Sequence, residues 1–280
     1  MNTRSLIRKY PVASYFMICF TISWLGAFAL VAHKIFSGQD ITKMDSLLMF
    51  PVMILGPAIT GITLTAIVNG ENSLKNLRMR MGKWKVPVKW YFAAIIIPPV
   101  LITTVLLLLS HFVSPVFRPN FFPLGFLFGI PAGFMEEIGW TGFAFPEMQL
   151  KYGTMKGGIV LGLLWSLWHL PVIDSLGAAS PHGKYLPLFF LSFAGILTAM
   201  RLIIAWIYSN TESIPLAQLT HIVSTGSLVM FGAPPSPGLT PLRETLWYGA
   251  YAVLLWVVVF IIYRTQPLVK NRPVPNAQPL

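Results

Sequence analysis

Four ionisable residues interrupt stretches of this sequence that are otherwise apolar: Glu136 and Glu137 in the run 124–145, His169 in 157–176 and His221 in 214–231. A carboxylate buried in hydrocarbon costs several kcal/mol unless it is protonated, paired or facing water, so such residues are functional candidates by default. Neighbours on an α-helix point about 100° apart. Glu136 and Glu137 therefore cannot do the same job: one can face a central cavity, while the other must find partners between helices. Either histidine alone would more often be a hydrogen-bonded structural residue than a catalyst, but depth changes that weighting. Counted from one membrane face at about 1.5 Å per residue, Glu136 lies roughly 13 Å deep, His169 roughly 18 Å and His221 roughly 10 Å. Three helices bring these groups to overlapping levels.

Two chemistries suit that set. Glu136, His169 and His221 could ligate a divalent metal such as zinc, leaving an open position for water. Alternatively, Glu136 acts as general base on a water positioned by His169, with His221 donating to the developing oxyanion. No His-Glu-x-x-His pair occurs on one helix, so a strong metal signature is missing. The metal-free account, with no cofactor, is favoured.

The elements that must position these residues are transmembrane helices. Of 280 residues, 55% are hydrophobic and 10% charged, against about a quarter charged in soluble domains. Several apolar runs reach the roughly 20 residues that span a bilayer core as a helix, and short alternating strands of the kind that build barrels do not occur. Helices are expected near 12–35, 46–68, 90–112, 122–145, 157–176, 186–208, 214–231 and 246–263. The fold expected is an all-α membrane protein, a polytopic bundle of about eight transmembrane helices. It forms one domain over 1–266 with its motif core at 122–231, and Pro267, Pro273, Pro275 and Pro279 mark 267–280 as a disordered tail. The first run is too long for a signal h-region and is expected to be retained. Cys19 is the single cysteine, so no internal disulfide can form.

The net charge of +11 reports topology, not nucleic acid binding. Placing both termini in the cytoplasm of a multi-pass cell-membrane protein puts 14 of the 20 Lys and Arg residues on that side, as the positive-inside rule requires. Membrane lipid is thus one partner. The basic stretch 72–88, interleaved with Met and Trp, suits either an amphipathic segment on an anionic leaflet or an ordinary cytoplasmic loop. Arg201, a turn or two from the end of its expected helix, is read as snorkelling to the cytoplasmic surface in preference to pairing with an acid. Gly133, Gly139 and Gly142 would let helices approach closely. Trp140, Trp165 and Trp168 could wall a cavity, although simple packing suits at least two of them.

At these residues the sequence resembles the CPBP family of intramembrane proteases, which includes type II CAAX prenyl endopeptidases and bacteriocin-processing or immunity proteins. The family's Glu-Glu pair, followed four residues later by Arg, reads Glu136-Glu137-Ile138-Gly139-Trp140-Thr141 here. Its aromatic residue four before His reads Trp165-Ser166-Leu167-Trp168-His169, and its His followed four later by Asn corresponds to His221 through Thr225. The motifs cover roughly residues 122 to 231, about 40% of the chain. The resemblance implies that Glu136 with His169 activates the water, that His221 with Thr225 stabilises the oxyanion, and that Glu137 belongs to the same catalytic set. The reaction implied is hydrolysis of a peptide bond in a membrane-associated or lipidated protein substrate. Thr141 stands where the family has Arg, so Glu137 must carry a proton or find another donor. Thr225 stands where it has Asn, and its hydroxyl donates a single bond with shorter reach. Those departures motivate an alternative from a second class, a non-catalytic scaffold or immunity-type protein that keeps the fold. A proton-coupled transporter is disfavoured by the lack of an internal repeat. Nothing in the sequence sets the oligomeric state.

Overall fold

A computed structural model places residues 2–68, 70 and 72–266, and every regular element among them is helical. The tail expected to be disordered, 267–280, lies outside these described residues. In chain order the helices are α1 (Thr3–Lys9), α2 (Pro11–Phe36), α3 (Lys43–Met53), α4 (Leu55–Val68), α5 (Ser73–Met81), α6 (Val88–Phe112), α7 (Gly129–Gly139), α8 (Phe145–Trp168), α9 (Leu186–Thr211), α10 (Ile214–Phe231) and α11 (Pro241–Thr265).

Among the described residues, six segments are long and apolar enough to cross a membrane: Pro11–Phe36, Lys43–Val68, Val88–Phe112, Gly183–Thr211, Ile214–Phe231 and Pro241–Thr265. The other two expected spans, 122–145 and 157–176, are helical but broken. The chain enters the first through a 3₁₀ turn, Pro123–Phe128, runs through α7, widens into a π turn at Trp140–Ala144 and resumes as α8. Within α8, Gly153 adopts φ 77° and ψ 167°, a conformation open to glycine because it has no Cβ. There the chain folds back. A Cβ on Gly157 would sit 3.2 Å from the Met148 backbone, whereas nine residues of straight helix would separate the two by about 13 Å. The expected span to 176 is too long: helix stops at Trp168, because Pro171 disfavours helical geometry at Leu170.

The loop that follows is fastened to α11. The buried Glu244 carboxylate accepts 2.7 Å hydrogen bonds from the Ala178 and Ala179 amides, and His182 stacks on Phe189 at the start of α9 with ring centroids 3.7 Å apart. These contacts fix the chain leaving His169.

Helix α9 is the centre of the bundle, packed on α8 and α11. Every residue from 196 to 208 is buried, as expected for a helix that is apolar nearly all round. Helix α7 lies between α4 and α10. Its small residues make that possible, since Gly133 abuts Ile222 and the Gln218 carbonyl of α10, while Gly139 abuts the Pro57 carbonyl of α4 and faces Gly61. Gly142 is less confined: its Cβ would first meet the tip of Leu77, at 3.0 Å.

The turn at Gly142 has a separate cause. Pro146, at the start of α8, has no N–H to give the Gly142 carbonyl one turn earlier, and Arg80 of α5 donates to that carbonyl instead, at 2.9 Å.

A methyl group at Gly139 would lie 2.1 Å from the Pro57 carbonyl oxygen, and backbone cannot swing aside. Gly139→Ala should therefore destabilise the protein by roughly 1–3 kcal/mol through overpacking, outweighing the gain in helix propensity of up to about 1 kcal/mol. Gly142→Ala should melt close to wild type. Thermal unfolding in one detergent compares them, and an unperturbed Gly139→Ala protein would contradict the close α4–α7 approach.

Candidate active site

The candidate residues gather where α7, α8, α9 and α10 meet. Glu136 and Glu137 come from the last turn of α7 and are fully buried, as are Trp140 and Thr141 in the π turn that follows. A π turn re-aims side chains relative to a regular helix and often marks a functional site.

The two carboxylates have different surroundings, as their angular separation requires. Glu136 Oε2 accepts hydrogen bonds from the indole N–H of Trp140, at 3.0 Å, and of Trp165, at 2.8 Å. Its Oε1 is buried and has no hydrogen-bond partner among the described residues. Two of the three tryptophans therefore do more than pack. The third, Trp168, accepts a 3.0 Å bond at its carbonyl from Trp24, while its own indole N–H is buried without a partner among the described residues.

Glu137 is saturated. Arg201 grips it with both terminal nitrogens, Nη1 at 2.9 Å from Oε2 and Nη2 at 2.7 Å from Oε1. His221 Nδ1 is 2.8 Å from Oε1, and the Thr141 hydroxyl donates to Oε2. Arg201 does not snorkel. It is 1% exposed and ten residues from the end of α9 at Thr211, about 15 Å of helix, and an acid lies beside it. The expectation of snorkelling failed because the helix continues past 208. A signal was available: a charge deep in an apolar span is a pairing candidate in its own right.

His169 caps the C-terminus of α8, and its Nδ1 is 2.9 Å from the Trp165 carbonyl one turn back. A carbonyl oxygen only accepts, so the proton is on Nδ1 and Nε2 of the neutral ring is an acceptor. For His221 the carboxylate partner likewise places a proton on Nδ1. In both histidines the fold uses Nδ1 and leaves Nε2 as the nitrogen available to another molecule. Thr225, one turn beyond His221 on α10, is half-buried, and its hydroxyl makes no hydrogen bond among the described residues.

Trp165 joins the pieces. It bonds to Glu136, carries His169 one turn on, meets the His221 ring edge-on with centroids 4.9 Å apart, and has the Arg201 guanidinium 4.5 Å from its ring centre. Glu136, Glu137, His169 and His221 thus belong to one contact network.

Among the described residues no three His, Cys, Asp or Glu side chains are grouped so as to hold a metal ion. Glu136 Oε2 and both Nδ1 atoms bond to protein partners, while Glu136 Oε1 and both Nε2 atoms have none among the described residues.

Comparison with known proteins bears on the same segment. The model of the family described as type II CAAX prenyl endopeptidase Rce1-like matches residues 118–226, which hold all five candidate residues. A CAAX prenyl protease 2 from Methanococcus maripaludis is 28% identical over 228 residues, 77% of this chain and 83% of the relative. The resemblance carried by Glu136-Glu137, Trp165 to His169 and His221 to Thr225 therefore extends beyond the motifs, and this multi-pass chain is similar to the type II CAAX prenyl endopeptidases.

Proposed function

We propose that the protein is an intramembrane endopeptidase that hydrolyses a peptide bond of a membrane-associated, lipidated substrate without a metal, using Glu136, His169, His221 and Thr225. One observation carries this reading. Glu136 has one oxygen held by two indole N–H groups and the other buried with nothing to bind, an arrangement that costs free energy unless a further molecule satisfies it.

A water between Glu136 Oε1 and His169 Nε2 would meet two acceptors. Both its hydrogens would be engaged, leaving its lone pairs aimed at a substrate carbonyl. Glu136 takes the proton as the oxygen attacks, and later delivers it to the leaving amine. His221 and the Thr225 hydroxyl donate to the oxyanion. With Nδ1–H given to Glu137, His221 donates from Nε2 when that nitrogen also carries a proton. The indole donors of Trp140 and Trp165 fix the base in position.

The family position occupied by Thr141 argued for a scaffold that has lost its chemistry. Arg201 weakens that argument, because it brings a guanidinium to Glu137 from another helix, and Thr141 adds its hydroxyl. The relative is named for prenyl-protein cleavage, which supports a prenylated substrate here. The distribution of Lys and Arg supports a topology with both termini, α5 and the fold at Gly153 on the cytoplasmic side.

Glu136→Gln should lower kcat for a lipidated reporter peptide by on the order of 10²–10⁴-fold, with melting temperature unchanged, and the wild type should retain activity in chelator with no stoichiometric metal bound. Full cleavage by the Glu136→Gln protein would remove the proposed base, and a chelator loss restored by zinc would replace the metal-free mechanism.

Arg201→Met should be strongly destabilising, by roughly 3–5 kcal/mol, since it strands a buried carboxylate. The double variant Arg201→Met with Glu137→Leu should recover most of that loss. A single variant as stable as wild type would show that the ion pair does not hold the core.

Topology is open to labelling because Cys19, the one cysteine, is buried. In intact cells Lys85→Cys should react with a membrane-permeant maleimide alone, and Lys184→Cys with an impermeant one as well. The reverse pattern would invert the proposed orientation.

A further inference from the structure

Helix α5 and the residues after it form a strongly basic segment that the reaction does not use. Nine residues of helix measure about 13 Å, too short to cross a core of about 30 Å. The segment connects the apolar spans Lys43–Val68 and Val88–Phe112, so it lies at a membrane boundary. Lys75, Arg78, Lys85 and Lys89 are exposed, and none has an acidic partner among the described residues. Interleaved with them, Leu74, Met79, Trp84 and Val88 are exposed too. Cations set among bare apolar side chains, Trp included, match an anionic headgroup layer in both charge and polarity.

The inner side of the same segment is pinned to the protein. Leu77 is buried. The Ser213 hydroxyl donates to the Lys83 carbonyl at 2.6 Å, and Lys83 pairs with Glu212 at 3.1 Å, both at the α9–α10 junction. Arg80 reaches furthest. Its Nε donates to Asn76 at 2.9 Å, Nη1 to the Tyr208 hydroxyl of α9 at 2.6 Å, and Nη2 to the Gly142 carbonyl at 2.9 Å. That carbonyl belongs to the turn carrying Trp140 and Thr141, which hold Glu136 and Glu137.

We propose that α5 and the residues up to Lys89 dock on the headgroups of anionic phospholipid, and that Arg80 transmits this contact to the Trp140–Ala144 turn. The docking surface is independent of the proposed reaction; its bearing on the site rests on the endopeptidase reading.

Native mass spectrometry of the full chain with added phosphatidylglycerol or phosphatidylcholine tests the surface. Wild type should retain phosphatidylglycerol preferentially, the more so at low salt. Replacing Lys75, Arg78, Lys85 and Lys89 together by Gln should cost about fivefold per cation, with melting in neutral detergent unchanged. Equal retention of the two lipids by wild type, or an undiminished preference in the four-fold variant, would overturn the proposal. Displacement of bound lipid by a polyglutamate peptide at comparable concentration would instead assign the surface to an acidic protein partner. Hydrogen exchange reads the transmission without any cleavage assay. Phosphatidylglycerol should slow exchange at residues 140–145 in wild type, but not in Arg80→Gln or Arg80→Lys, both of which keep the lipid. No slowing in wild type, or slowing that survives in both variants, would sever Arg80 from the effect.

Discussion

The buried pair between Arg201 and Glu137 is the constraint around which the rest of this bundle is arranged. Each ion alone would cost several kcal/mol to desolvate, and attraction offsets that only with good geometry and with the remaining donors and acceptors satisfied. Here the guanidinium is bidentate and lies over the Trp165 ring, and His221 and Thr141 occupy the other carboxylate positions, leaving Arg201 Nε as the one donor of the pair with no hydrogen bond among the described residues. A guanidinium suits the task because its planar fork matches both carboxylate oxygens at once. The pair ties α7, α9 and α10 at one level, and that level is where the candidate chemistry lies. It also restricts α7, which must present Glu137 to α9 while its neighbour Glu136 turns toward α8.

Holding a helix in that attitude requires contact on both sides. Glycines let α7 lie against α4 and α10 almost backbone to backbone, and packing of this kind, not hydrophobic burial, drives association between helices in a bilayer. The π turn then offsets the chain before α8, so Trp140 and Thr141 reach back to the carboxylates. Pro146 would leave a carbonyl bare at this point, and Arg80 fills the gap from outside the bundle. An irregular stretch of backbone at membrane depth is tolerated where protein satisfies it, and at the π turn Arg80 is that donor.

Much of this was legible in the sequence and some was not, for reasons that differ by residue. Apolar length located the spans because the bilayer imposes one length on all of them. The break at Gly153 and the stop at Trp168 were less visible, since a run of apolar letters looks alike whether it continues or folds back. The burial of Glu136 and Glu137 followed from composition alone. The adjacency rule further required them to have different surroundings, and they do. Their partners could not be read in the same way. Arg201 is 64 residues from Glu137, and local spacing says nothing about a contact made across the bundle. Trp165 looked like packing because its apolar area dominates its character, although an indole placed in hydrocarbon also needs a home for its N–H.

That last point separates the roles of the two acids. Glu137 accepts from a guanidinium, an imidazole and a hydroxyl, so no oxygen is left to receive a proton from a reactant. Glu136 accepts only from neutral indoles, and at one oxygen only. Of two adjacent carboxylates in the same helical turn, one is neutralised by the protein and the other is oriented by it. A general base needs orientation together with a free lone pair, and Glu136 alone has both. The difference arises from the 100° step between successive residues of a helix and from which neighbouring helix each side chain meets, α9 with its arginine or α8 with its tryptophan.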